Sequence, residues 1–146
     1  MPTSYGFCRT MPIAYEKAVS LTIDALEKGG FEIASRINAQ SLLQETLQVE
    51  CRPYMVLGAI APDLSYQALQ IESELALLMM PCNIVVIDAG NGHSTVGIVD
   101  PIQALAPANN NGLKPIADAL NQRLFRAYLD IVVQVAEHEH FGRAAR

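Results

Sequence analysis

Apolar residues recur along this chain at two periods, and the switches between them mark out its elements. "SYGFCR" (4–9) reads as a weakly patterned first strand. Pro12 then marks a helix start, where its missing N–H is not needed. Tyr15, Ala18, Val19, Thr22, Ala25 and Leu26 share one helical face, with Thr22 interrupting the apolar stripe. "KGG" (28–30) ends that helix, with a cation in the last turn and glycines able to adopt the left-handed cap. Phe31, Ile33 and Ile37 alternate with Glu32, Ala34 and Arg36, as in a half-buried strand. Asn38 caps a short helix carrying Leu42, Leu43, Thr46 and Leu47 on one face. "RPYMVLGAIA" (52–61) is apolar at both alternating sets of positions, which predicts a central strand, and Gly58 within it predicts a bulge or close backbone approach. Pro62 and Asp63 open a helix lined by Leu64, Ala68, Ile71 and Leu75. "CNIVVI" (82–87) is the fourth strand, "DAGNGH" (88–93) a hairpin turn and "STVGIV" (94–99) the fifth strand. From Pro115, the residues Ile116, Leu120, Leu124, Ala127, Ile131 and Val135 predict a long last helix, on the order of 35 Å.

The order β-α-β-α-β-α-β-β-α predicts an α+β fold. It has two layers: a curved, mainly antiparallel five-stranded sheet with helices packed on it and a long C-terminal helix. At 146 residues the chain fits a single domain, 1–146, large enough to hold a core without disulfide or metal. The stretch 101–113 is low in complexity and expected to be a mobile loop, and 139–146 is expected to be a frayed tail.

Composition narrows the partners. The net charge is −5, and the 10 Lys and Arg form no cluster, so the cationic footprint of a nucleic-acid binder is missing. The longest apolar stretch, "LALLMMPCNIVVI", contains Pro81 and Asn83 and falls short of the roughly 20 residues of a membrane span. Cys8, Cys51 and Cys82 fit neither a disulfide framework nor a zinc motif, and the N-terminus has no signal-peptide pattern. A cytoplasmic protein with reduced thiols is expected.

Three segments carry a resemblance. "GGFEIASRIN" (29–38), "CRPYMVLGAIAPDLSYQAL" (51–69) and "LLMMPCNIVV" (77–86) together resemble the bacterial and archaeal family named domain of unknown function 302. The likeness extends over roughly residues 12–135. It implies a fold of the TATA-binding-protein class, a curved antiparallel sheet with a long helix, and it implies no activity. The loop 101–113 and the tail "EHEHFGRAAR" lie outside its motifs.

Candidate chemistry centres on "PCN" (81–83). Pro81 lacks a backbone donor and Asn83 is unusual inside a strand, which together suggest a strand mouth. Cys82 there is either a small buried hydrophobe or a reactive thiol. With an antiparallel neighbour 52–61 it would lie near Ala61 and Pro62, at a helix N-terminus. With a parallel one it would meet Arg52 and Tyr54. Either arrangement is expected to favour a thiolate. Arg52 beside Tyr54 could hold an anionic group, although a rim arginine and a core tyrosine serve as well.

His93 stands roughly 20 Å along the strand from Cys82, too far to share a metal with it. His138 and His140 read as a solvated helix end, and Met79 and Met80 as gap-filling core residues that could also serve as soft copper ligands. Asp63, Glu72 and Glu74 read as capping and surface charges. No triad, phosphate loop or acid–base pair is visible, no dedicated metal site is expected, and the sequence names no cofactor. The chain is therefore read as a small cytoplasmic protein that binds a small-molecule ligand in a pocket near Cys82, with Cys82, Asn83, Arg52 and Tyr54 as site residues. The greasy third strand and last helix predict a homo-oligomer. The alternatives are a thiol-dependent redox or sulfur-handling enzyme using Cys82, or a metal- or haem-binding protein.

Overall fold

A computed structural model describes residues 6–74 and 81–144. Five strands form one sheet: β1 (Gly6–Met11), β2 (Glu32–Asn38), β3 (Tyr54–Ile60), β4 (Cys82–Gly90) and β5 (His93–Val99). Every pairing is antiparallel, in the order β1-β5-β4-β3-β2, so β4 is the middle strand. Five α-helices alternate with them: α1 (Tyr15–Lys28), α2 (Ala39–Leu47), α3 (Pro62–Ile71), α4 (Pro101–Leu105) and α5 (Lys114–Ala144). This is the expected α+β order, with α4 added in the stretch 101–113. Asp100 caps α4, its carboxylate accepting from the Ile102 N–H at 2.9 Å. Two 3-10 turns follow, and Leu105 and Leu113 anchor the stretch in the core.

Each element forms where its chemistry directs. α1 begins at Tyr15, three residues after Pro12, and ends where Gly30 takes φ 89° and the Phe31 N–H returns to the Leu26 carbonyl at 3.0 Å. Asn38 caps α2 by accepting from the Ser41 N–H at 3.0 Å. Between β4 and β5 the chain reverses at Asn91 and Gly92, with φ 55° and 76°, the pair of positive values that matches strand twist in a two-residue hairpin. A Cβ on Gly58 would collide with Ser35 Oγ and stand 2.9 Å from Pro81 Cγ, so the close approach here is by neighbouring side chains and not by another backbone, while a register shift lies opposite it in β2, between Ile33 and Ser35.

One face of the sheet makes the core. Leu57, Ala59, Ile84, Val86, Val96 and Ile98 point to it and are buried beneath α1 and α5. All six apolar positions of the α5 stripe, from Ile116 to Val135, are buried there. At 31 residues α5 is about 46 Å long. Ser94 is tied down by donating to the Ile13 carbonyl at 2.7 Å. Thr22 is fully buried in the α1 stripe, and its hydroxyl has no partner among the described residues. Asp63 lies in the first turn of α3, whose N-cap is Ala61 with no side-chain cap, so it serves as an ion-pair partner and not as the expected cap. Its carboxylate accepts two hydrogen bonds from Arg123 of α5, at 2.8 and 2.6 Å, and this pairing holds its pKa down at about 2.

Candidate functional site

The opposite face of the sheet is where the candidate chemistry collects. Because side chains alternate along a strand, Cys8 and Thr10 of β1, Thr95 and Gly97 of β5, Asn83, Val85 and Ile87 of β4, Tyr54 and Val56 of β3, and Ile37 of β2 all point away from the core. The register aligns them in rows: Cys8 beside Gly97, Gly97 beside Val85, Val85 beside Val56, and Val56 beside Ile37. No helix among the described residues covers these rows. β3 is apolar on both faces, as its sequence shows, yet only one face is covered.

A recess of about 420 Å³ opens on this face, over the β1, β5 and β4 half. Its floor lies at Gly97, where a side chain is missing between Cys8 and Val85; a Cβ there would stand 2.9 Å from Val85 Cγ2. Val85, Ile87, Val99 and Tyr54 form apolar walls, and Asn83, Thr95 and Cys8 contribute polar atoms. Thr95 is fixed by a 2.7 Å hydroxyl–hydroxyl bond to Thr10. None of the lining residues is charged at neutral pH. The volume falls within the range of about 300–1,000 Å³ typical of small-molecule sites, and the mainly apolar lining with few polar groups is typical too.

The four residues singled out from the sequence divide between the two faces. Tyr54 and Asn83 line the recess together. Cys82 points the other way, into the core, and is 6% exposed. It pairs with Ala59 in the antiparallel arrangement, close to the N-terminus of α3. The expected thiolate does not follow, because burial pushes the Cys82 thiol up to about 11. Desolvation disfavours the charged form, and here it outweighs the helix terminus. The hollow beside Cys82, shared with Pro81, Pro101, Leu105 and Leu120, holds only about 70 Å³. Arg52 is exposed in the segment before β3, outside the lining of the recess. Tyr54 pairs with Ile87, so it stands about 17 Å along the sheet from Cys82.

The other candidates stay apart. His93 lies at the hairpin, at the far end of β4 from Cys82, with its Nδ1 3.0 Å from the Asn91 carbonyl. Met79, Met80 and the His140 side chain lie outside the described residues. Among the described residues no group of three or more His, Cys, Asp or Glu is placed to hold a metal, and no helix is long and apolar enough to cross a membrane. None of the three cysteines forms a disulfide.

Of the lining residues only Tyr54 and Asn83 were legible as site residues; Cys8, Val85, Ile87, Thr95, Gly97 and Val99 are among those that the sequence did not single out. The alternation Asn83, Val85, Ile87 was the available signal, since it shows β4 apolar on its second face. The contribution of β1 was hidden, because Cys8 meets Gly97 only through a pairing between the first and the last strand.

The profile of the family described as domain of unknown function DUF302 matches residues 7–131. The chain belongs to this family. DUF302 chains include a solved relative, described as the crystal structure of an uncharacterized conserved protein DUF302 from Bacillus stearothermophilus. It superposes with a TM-score of 0.79 at 19% identity, covering 88% of this chain and 99% of that one. At that identity the likeness concerns the fold. No curated protein matches the chain. The recess residues Phe7, Cys8, Tyr54, Asn83, Val85, Thr95 and Gly97 all fall within the DUF302 match, whereas the last turns of α5 extend past it.

Proposed function

We propose that this DUF302 chain is a small cytoplasmic ligand-binding protein that works as a homo-oligomer and takes its ligand on the uncovered sheet face. The observation that carries this reading is the recess of about 420 Å³ on that face. Its lining supports a neutral, largely apolar small molecule, since an ionised ligand would lose its hydration with no counter-charge to replace it. The Tyr54 hydroxyl and the Asn83 amide are the groups that would orient it, by one or two hydrogen bonds. Three cysteines without a disulfide suit a reducing compartment. A thiol enzyme using Cys82 is not favoured, because its sulfur is buried and held protonated.

Nile red, a neutral dye that brightens in apolar surroundings, serves as the probe. It should bind saturably at one site per chain. Val85→Trp, which puts a large ring into the recess, should abolish the signal and leave the circular dichroism spectrum unchanged. Equal dye binding by the folded Val85→Trp protein would remove the recess as the ligand site.

A further inference from the structure

Two hollows adjoin at one end of the sheet, and two side chains belong to both. Asn83 and Val99 line the recess of about 420 Å³ and also the hollow of about 70 Å³ beside Cys82. The register that pairs Ile84 with Ile98 sets them side by side, at the start of β4 and the end of β5. From there the smaller hollow turns round the end of β4. On the outward side it is bounded by Asn83 and Pro81. Pro81 stands on that side because a Cβ on Gly58, which pairs with Asn83, would lie 2.9 Å from Pro81 Cγ. On the inward side it is bounded by Cys82 and Leu120, both buried in the core. Ala104 and Leu105 of α4 close it from beyond the sheet.

We infer that this hollow is the inner end of the ligand site, and that the ligand is a neutral molecule with an apolar body, a hydrogen-bond acceptor near its middle and a short aliphatic tail. This rests on the recess being the ligand site, and it adds the shape of what the site takes. The body lies in the recess, the acceptor meets the Asn83 amide, and the tail passes Asn83 and Val99 to end beside Cys82.

Size, lining and the junction all support this. A single water needs about 10–15 Å³ of such space, so the hollow admits a chain of several heavy atoms. Close-packed interiors leave few voids that large, and this one is braced against collapse, because Pro81 and Pro101 present rings on a backbone of fixed φ. None of its lining residues is charged at neutral pH, and its depth is aliphatic apart from the Cys82 thiol, which packs as a small hydrophobe. An alkyl tail is therefore favoured there, whereas an ionised one would meet no counter-charge. At the junction the Asn83 side chain is exposed and hydrogen-bonds to none of the described residues. Its amide offers two N–H donors between two apolar surfaces, which sets the acceptor in the middle of the ligand and not at its end.

Displacement of Nile red from the full chain by acetophenone, butyrophenone and valerophenone tests the inference, since each carries a ring, a carbonyl and a progressively longer tail. Affinity should rise about fourfold per added methylene, the effect of burying each one. Ala104→Leu puts a branched side chain into the hollow and should erase that rise, with acetophenone still displacing the dye. In wild type, nuclear Overhauser contacts should join the terminal methyl of valerophenone to the methyls of Leu105 and Leu120, a result that depends on no variant. Equal affinities across the series, a rise that survives Ala104→Leu, or terminal-methyl contacts at Val85 and Ile87 would overturn the extension and leave the recess in place. Ketones that never displace the dye, together with dye binding that ignores Val85→Trp, would remove the recess and the extension with it.

Discussion

Cys82 shows how much one residue's meaning depends on which way a strand faces. "PCN" reads as a strand mouth, and β4 does begin at Cys82. The alternation then sends the thiol into the core and Asn83 to the recess, a choice that residue type alone does not determine. The consequence can be measured. Burial pushes the Cys82 thiol up to about 11 in the folded chain, against an ordinary value of 9.0. Above pH 9 the unfolded chain therefore loses a proton that the folded chain retains, and ionisation favours unfolding. Stability should be flat for this group below pH 9 and should fall between pH 9 and 11, by up to about 1.4 kcal/mol per pH unit. Denaturant titrations of wild type and Cys82→Ala across that window will isolate the slope. A wild-type curve parallel to that of the variant would show the thiol to be no more buried than an exposed one.

At the scale of elements, the sequence was most legible where periodicity is long. The α5 stripe, the Asn91–Gly92 reversal and the Asn38 cap all follow from spacing and side-chain chemistry acting locally. β2 was less legible. Its alternation predicts a half-buried strand, but it is an edge strand whose Ile37 faces the uncovered side. The stretch 101–113 looked like a loop because its composition is poor, yet Asp100 and Pro101 start α4 and two leucines dock it. α1 carries the one conflict within a stripe. Thr22 replaces an aliphatic residue at a position that is fully buried, and its hydroxyl has no partner among the described residues. A buried unsatisfied hydroxyl costs on the order of 1–3 kcal/mol. Thr22→Val keeps the shape and the β-branch, so it should raise the unfolding free energy by about 1 kcal/mol. A loss of stability in chemical denaturation would mean that the hydroxyl is hydrogen-bonded after all.

At the scale of the whole molecule, pairing between distant segments decides where a site can be. β1 and β5 are the first and the last strand along the chain and stand side by side in the sheet, so the recess could not be assembled from motifs within either. What the sequence did show is the surplus of apolar surface: β3 is greasy on both faces and α2 has a leucine face. Folding uses one of those faces and leaves the other for something else. The Asp63–Arg123 pair, by contrast, ties α3 to α5 on an exposed flank, with 54% and 31% of the side chains exposed, and contributes little beyond alignment. The central claim, that the uncovered sheet face is where this protein binds, is tested most directly by backbone amide NMR of the full chain titrated with Nile red. The shifts should concentrate at Tyr54, Asn83, Val85, Thr95 and Gly97. Shifts confined to the outer face of α5, at Phe125, Leu129 and Val133, would contradict it.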